Sequence, residues 1–195
     1  MPKTLEIHEV TPVRWPDVAR LFGPRGACAG CWCQWPRLTS AEFRAGKGDG
    51  NRRRLQRLVR SGAPVGLLAY RDGEPIGWCA LAPRAAYRRL ERSKVLAAVD
   101  DVAVWSVPCF FVSPTARGTG VTAALLKQAA RVAAAHGAQA LEGYPLDLDG
   151  RTTAAAFAWW GLHSAFEQTG FREVARRSPT RPIMRRSLRR PGRRG

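Results

Sequence analysis

The sequence predicts one α/β (α+β) domain in which strands and helices alternate, and three observations carry that reading. Residues 65 to 81 read as a β-hairpin, residues 102 to 112 as a long strand, and residues 118 to 136 as an Ala-rich helix entered through a glycine-containing turn. A chain of 195 residues, 45% hydrophobic and 24% charged, is long enough to bury one core without disulfides or a structural metal. The same proportions exclude wholesale disorder, a fibre and a disulfide scaffold.

Leu5 to Val10 alternates apolar and polar residues as a strand does, and Thr11-Pro12 starts a helix leading into Val13 to Phe22, with Pro16 delaying its onset. Gly23 to Pro36 mixes Gly, Pro, Cys and Trp without a period and reads as an ordered loop. Thr39 and Glu42 form a capping box. After the break at Gly46 to Gly50, Asn51 is expected to cap a helix over Arg52 to Arg60, whose Leu55, Leu58 and Val59 share one face. Val65 to Tyr70 and Pro75 to Leu81 are apolar runs joined by Arg71-Asp72-Gly73-Glu74, a hairpin turn. A short helix at Arg84 to Arg92 and the Val-, Phe- and Trp-rich strand Val102 to Val112 follow. Then come the helix Gly118 to His136, the strand Ala138 to Tyr144, the helix Leu162 to Thr169, and the strands Phe171 to Arg176 and Ile183 to Leu188. The domain is expected over residues 1–184. Residues 185–195, with six arginines, read as a basic tail too polar to order itself.

Lys plus Arg total 32 against 15 Asp plus Glu, a net charge of +17. Such a field attracts nucleic acid, an anionic membrane or a polyanionic small molecule, and charge alone does not choose among them. Five Cys, three of them crowded at Cys28, Cys31 and Cys33, fit free thiols in a reducing compartment. No apolar run reaches the roughly 18 residues of a membrane span, and Met1 to Glu6 lacks the apolar stretch of a signal peptide, so the expected compartment is the cytoplasm.

Val112 to Leu126 carries the strongest signal: a buried strand feeding Ser113-Pro114-Thr115-Ala116-Arg117-Gly118-Thr119-Gly120, then a helix from Val121 and Thr122. The first N–H groups of a helix are unpaired and its dipole favours negative charge, while Gly118 and Gly120 let a phosphate approach the main chain. Arg117 and the hydroxyls of Thr119 and Thr122 add donors for the same oxygens. The alternative is a plain strand-to-helix turn.

This stretch resembles the signature of the GNAT superfamily of acetyl-CoA-dependent N-acyltransferases: Gln or Arg, two residues, Gly, one residue, Gly or Ala. Thr115 departs from the first position. Ala138 to Pro145, the hairpin over Val65 to Leu81, and Phe166-Glu167-Gln168-Thr169-Gly170-Phe171 extend the similarity over roughly residues 65 to 185. The resemblance implies a mixed, mostly antiparallel sheet whose central strands, Val102 to Val112 and Ala138 to Tyr144, splay apart around the pantetheine of acetyl-CoA. It places the pyrophosphate on Arg117, Gly118, Thr119, Gly120, Val121 and Thr122. The pantetheine amide would pair with the N–H or C=O of Phe111 or Val112, which would also polarise the thioester.

The function implied is transfer of an acetyl group to a primary amine by direct attack in a ternary complex, with a small-molecule acceptor ahead of a protein one. The alternative is a weakly catalytic or non-catalytic CoA-binding module held on nucleic acid or ribosome by its basic surface, as a monomer or homodimer. Phe166 stands where the family often has a Tyr acid, so the acid is unassigned. Glu142 and Tyr144 alternate onto one strand face, as base through a water and substitute acid, or as a solvated edge residue and a core aromatic. Cys109 is a candidate nucleophile or a small buried residue. Cys28, Cys31 and Cys33 have a spacing that zinc accepts, but a structural site wants four ligands and no His lies near, so no metal ligands are assigned. They are expected, with Trp32 and Trp35, to line an acceptor pocket or close a lid. Trp159 and Trp160 wall the acceptor site or belong to the core, and Asp100-Asp101 and Asp147 to Asp149 attract a cationic amine or are simply solvated.

Overall fold

Asp72 and Gly73 take φ of 53° and 78°, the left-handed values that a two-residue hairpin turn requires, and the hairpin they close forms the centre of the first of two sheets. The computed structural model describes residues 5–148 and 159–188. In chain order the elements begin with β1 (Leu5–Glu9), a 3-10 turn at Pro12–Arg14, α1 (Trp15–Phe22), α2 (Ser40–Ala45) and α3 (Asp49–Arg60). They continue with β2 (Gly66–Arg71), β3 (Glu74–Ala80), β4 (Ala82–Pro83), α4 (Arg88–Glu91), β5 (Val104–Val107), β6 (Phe110–Val112) and α5 (Val121–Ala135). The last are β7 (Ala140–Gly143), α6 (His163–Glu167), β8 (Arg172–Arg176) and β9 (Pro182–Ser187). One sheet has the order β1-β2-β3-β6 and the other β4-β5-β7-β9-β8. Among the strands of the described residues, only β5 and β7 pair in parallel. The expected mixed, mostly antiparallel sheet is therefore present, divided in two.

The division falls inside the segment expected to be one strand over Val102 to Val112. Pro108 has no N–H for a ladder, and the chain changes partners there. Val104 to Val107 pair with Ala140 to Gly143, whereas Phe110 to Val112 pair with Cys79 to Gly77 of β3. The splay thus opens just beyond Val107 and Gly143, and among the described residues β6 has a partner strand on one edge only.

Two apolar clusters flank the sheets. On one face Val18 and Phe22 of α1 and Leu55 and Val59 of α3 pack on Leu68, Trp78, Tyr87 and Tyr144. On the other, Leu125, Leu126, Ala129 and Ala133 of α5 pack on Leu67, Ala69, Leu141, Phe166 and Phe171. The capping box forms as expected: Glu42 N donates to Thr39 Oγ1 and Thr39 N to Glu42 Oε2, starting α2. Asn51 does not cap its helix. It is buried inside α3, where its amide donates to Gly30 O at 3.2 Å and Phe43 O at 3.4 Å, tying the loop to the helices. Arg185, Arg186 and Ser187, read as tail residues, belong to β9, where Arg185 pairs with Glu142 of β7 and with Asp100 of the loop before β5. The rest of the expected tail, residues 189–195, lies outside the described residues, as does Asp149. No helix among the described residues is long and apolar enough to cross a membrane.

Candidate active site

A cleft of about 800 Å³ opens where β6 leaves its neighbour. Its walls are Phe110 to Val112, the loop from Ala116 to Ala123, the Ala27–Ala29 loop and the stretch around Gly161, Ser164 and Gln168. Gly118 and Gly120 adopt φ of 72° and 80°, and a Cβ on either would project into open space. Among the described residues, no carbonyl accepts the N–H groups of Gly118 through Ala123; the first recorded bond at this helix start is Ala124 N to Gly120 O. Six successive donors at the N-terminus of a 15-residue helix are therefore without a carbonyl partner, and five of those residues, all but Thr119, line the open cleft.

The edge of β6 supplies the other wall. Cys109 O accepts from Ala80 N at 2.8 Å and Ser113 N donates to Ile76 O at 2.9 Å. Antiparallel pairing alternates, so the intervening Phe111 also directs its main-chain groups to β3, opposite Trp78. Phe110 and Val112 direct theirs away from it. Val112 O accepts from Arg117 Nε at 3.2 Å, which leaves Phe110 and the Val112 N–H to pair with a ligand. The main-chain pairing expected at Phe111 shifts by one residue, while its side chain lines the cleft.

The other loop residues divide. Arg117 spends one donor on Val112 and keeps the others. The Thr119 hydroxyl is engaged, donating to Ala116 O at 2.7 Å and accepting from Arg71 Nη2 at 2.9 Å. Thr122 lines the cleft, and Val121 buries its side chain in the core beneath it. Arg71 at the loop and Arg25 on the cleft wall were missed; both come from segments distant in sequence, with no motif to mark them.

Glu142 and Tyr144 meet, but in a buried network rather than on the cleft wall. Tyr144 Oη donates to Glu142 Oε2 at 3.1 Å, lies 2.8 Å from Ser106 Oγ and accepts from Arg84 Nη1 at 3.0 Å. Glu142, 1% exposed, accepts from both Nε and Nη2 of Arg185, which also binds Asp100. Burial and then the Glu142 charge hold the Tyr144 phenol above its usual range. Phe166 is fully buried, edge-on to Phe171 with ring centroids at 5.0 Å. A Cβ at Gly143 would overlap its ring, so Gly143 is the residue that lets the aromatic in.

The cysteines separate by exposure. Cys28 lines the cleft. Cys33 and Cys109 are buried with their Sγ atoms 2.9 Å apart, and Trp78 Nε1 donates to Cys33. The Cys33 contact lowers the Cys109 pKa and burial raises it; the net direction is upward, keeping a thiol rather than a nucleophilic thiolate. Asp147 pairs with Arg176 at 2.7 Å and Asp100 with Arg185 at 2.7 Å, so both are engaged.

A splayed pair of strands with a Gly-rich helix start beside them is a distinctive arrangement, and the model of the acetyltransferase (GNAT) family matches residues 32–157, more than half of the chain. The chain belongs to the acetyltransferase (GNAT) family. Membership makes it an acetyltransferase, with acetyl-CoA as the co-substrate of the family's reaction. Solved GNAT structures share the fold at low identity. The PaiA N-acetyltransferase of Thermoplasma acidophilum, in complex with coenzyme A, aligns at 14% identity and TM-score 0.53 over 94% of this chain and 99% of its own. A GNAT acetyltransferase of Streptococcus agalactiae aligns at 11% and 0.56 over 94% and 95%. Aminoglycoside 6'-acetyltransferase type Ii aligns at 15% and 0.54 over 95% and 99%. No curated relative matches in sequence.

Proposed function

We propose that this GNAT protein transfers the acetyl group of acetyl-CoA to the primary amine of a small molecule, by direct attack with both substrates bound. The observation that carries this reading is the row of unclaimed N–H groups from Gly118 to Ala123 in the same cleft as the free edge of β6. The row holds the pyrophosphate by main-chain donors, with Arg117, Arg71 and Arg25 supplying charge. The pantetheine lies along β6 and pairs with Phe110 and Val112 like an added strand. The same donors polarise the thioester carbonyl.

Glu142 and Tyr144 fit positioning roles better than proton transfer. Glu142 is enclosed and doubly bonded by Arg185, and the Tyr144 proton is directed to Glu142 rather than to the cleft. They fix the point where β5 and β7 end. With Phe166 unable to donate, the CoA thiolate leaves without a proton from that position, which costs rate but not reaction, since general acid catalysis contributes about 10²- to 10⁴-fold.

Two measurements test the reading together. Acetyl-CoA should raise the midpoint of thermal unfolding, because any ligand of the native state does so. A screen of amines should release CoA thiol with at least one acceptor. A thermal shift without thiol release would leave the CoA-binding module on nucleic acid, favoured by the +17 charge, as the surviving reading, and absence of both would overturn either reading.

A further inference from the structure

A second cavity, about 510 Å³, lies across an aromatic wall from the donor cleft. Trp159 lines the cleft and Trp160 this cavity; their rings stack at 4.4 Å, and Trp35 meets Trp159 edge-on at 6.0 Å. We propose that this cavity seats the acyl acceptor, and that the acceptor carries an oxyacid group, carboxylate or phosphate, besides its amine. The proposal rests on the acetyl-transfer reading above and names its substrate class.

Charge is the first argument. Arg88, Arg89 and Arg92 line the cavity and, among the described residues, no Asp or Glu does. Glu42 neutralises Arg88, accepting from it at 2.9 and 3.1 Å. Among the described residues no carboxylate pairs with Arg89 or Arg92. An uncompensated, partly desolvated guanidinium is a poor structural element and a good anion receptor.

Pre-organisation is the second. The Arg89 guanidinium lies 3.5 Å over the Trp35 ring, donates from Nε to Trp35 O and from Nη1 to Ser40 Oγ at 3.1 Å. Its Nη2 and the Trp35 indole N–H are buried in the wall with no acceptor. Two donors orphaned on two residues that line one cavity are what an acceptor-rich anion satisfies. Burial, then the neighbouring Arg44 charge, lowers the Arg89 pKa, as expected of a cation that lacks its counter-charge.

Connection is the third. Leu90 and Leu96 contribute to the cavity, and their carbonyls accept from Arg84 Nη2 at 3.2 and 3.0 Å. Arg84 Nη1 donates to Tyr144, the residue after the last β5–β7 pair. One guanidinium therefore spans from the cavity to the splay.

The test is calorimetric titration of the full chain, with and without saturating CoA, using three probes of one body: tyramine, tyrosine and tyramine phosphate. The expected result is at least about tenfold tighter binding of tyrosine or tyramine phosphate than of tyramine, the better one naming the anion. Arg89→Gln should abolish that preference with CoA affinity unchanged. Arg92→Gln, an exposed position, should reduce it without affecting folding. Equal binding of the three probes, no binding of any, or a preference that survives both variants would overturn the proposal. Failure of acetyl transfer itself shows separately, as loss of CoA binding and of thiol release, because probe binding is also read on the CoA-free protein.

Discussion

The donor cleft and the Arg-lined cavity share a tryptophan wall but are built by opposite means. The cleft offers main-chain N–H groups from a run of six successive residues, Gly118 to Ala123, none of them taken by a carbonyl among the described residues. The cavity gathers side chains from three distant segments: Trp35 to Ser40, Arg88 to Leu96, and Trp160. A main-chain device tolerates most side-chain changes and fails when a Cβ intrudes. A side-chain device fails residue by residue, and its specificity is free to change without disturbing the donor site.

The hardest test of that contrast lies in the network between the two regions. Glu142→Ala leaves Arg185 with the exposed Asp100 alone and takes the acceptor from the Tyr144 hydroxyl, so it should cost about 3 kcal/mol in denaturant unfolding, the low end for a broken buried pair. Glu142 is 2% and Arg185 14% exposed at the side chain, so solvent does little to relieve the loss. Glu142→Gln separates positioning from catalysis. Positioning predicts a lower unfolding midpoint and an unshifted pH–rate profile; unchanged stability with turnover lost at neutral pH would make Glu142 the base.

A smaller effect is expected at the glycines. Gly120→Val places a β-branched residue at φ 80°, a conformation that costs about 1–2 kcal/mol for a side chain, and projects that side chain into the cleft. CoA affinity should fall about tenfold or more by calorimetry, while the tyrosine-over-tyramine preference of the CoA-free protein stays. Loss of both together would show that the two regions are one site.

What the sequence revealed follows the same division. The hairpin turn at Asp72-Gly73, the capping box at Thr39 and Glu42, and the glycine loop are local devices, each contained within a few residues, and each appears where its pattern placed it. Family membership was legible from the loop for the same reason. The split of Val102 to Val112 had one local sign, Pro108, which the strong β-propensity around it concealed. Glu142 was read beside Tyr144, but its dominant partner, Arg185, lies 43 residues later in a stretch whose composition reads as a disordered tail. Asn51 has the residue type of a cap and the location of a core polar group, because only the fold brings Gly30 and Phe43 to its amide. The arginines of the cavity look in sequence like any other part of a basic chain.

The smallest effect concerns α2, which carries Ser40 into the cavity wall. Hydrogen bonds from the Thr39 side chain and backbone, with a contribution from Arg88, lower the Glu42 pKa from 4.5 to about 2. A carboxylate whose folded pKa lies below its unfolded value stabilises the fold above the unfolded value. That contribution should fade as pH falls from 4.5 towards 2. Thr39→Ala removes the hydroxyl part of it and should lower stability by about 1 kcal/mol at neutral pH. The gap between variant and wild type should narrow on acidification through that window without closing, because the bond from Glu42 N to Thr39 Oγ1 does not depend on the carboxylate charge; urea unfolding at a series of pH values follows it. CoA affinity should not change, because no part of the donor cleft depends on this cap, whereas the anion preference of the cavity should weaken slightly as Ser40 loses its fixed place beneath Arg89. A variant that instead lost CoA affinity would show that the main-chain device leans on the side-chain one.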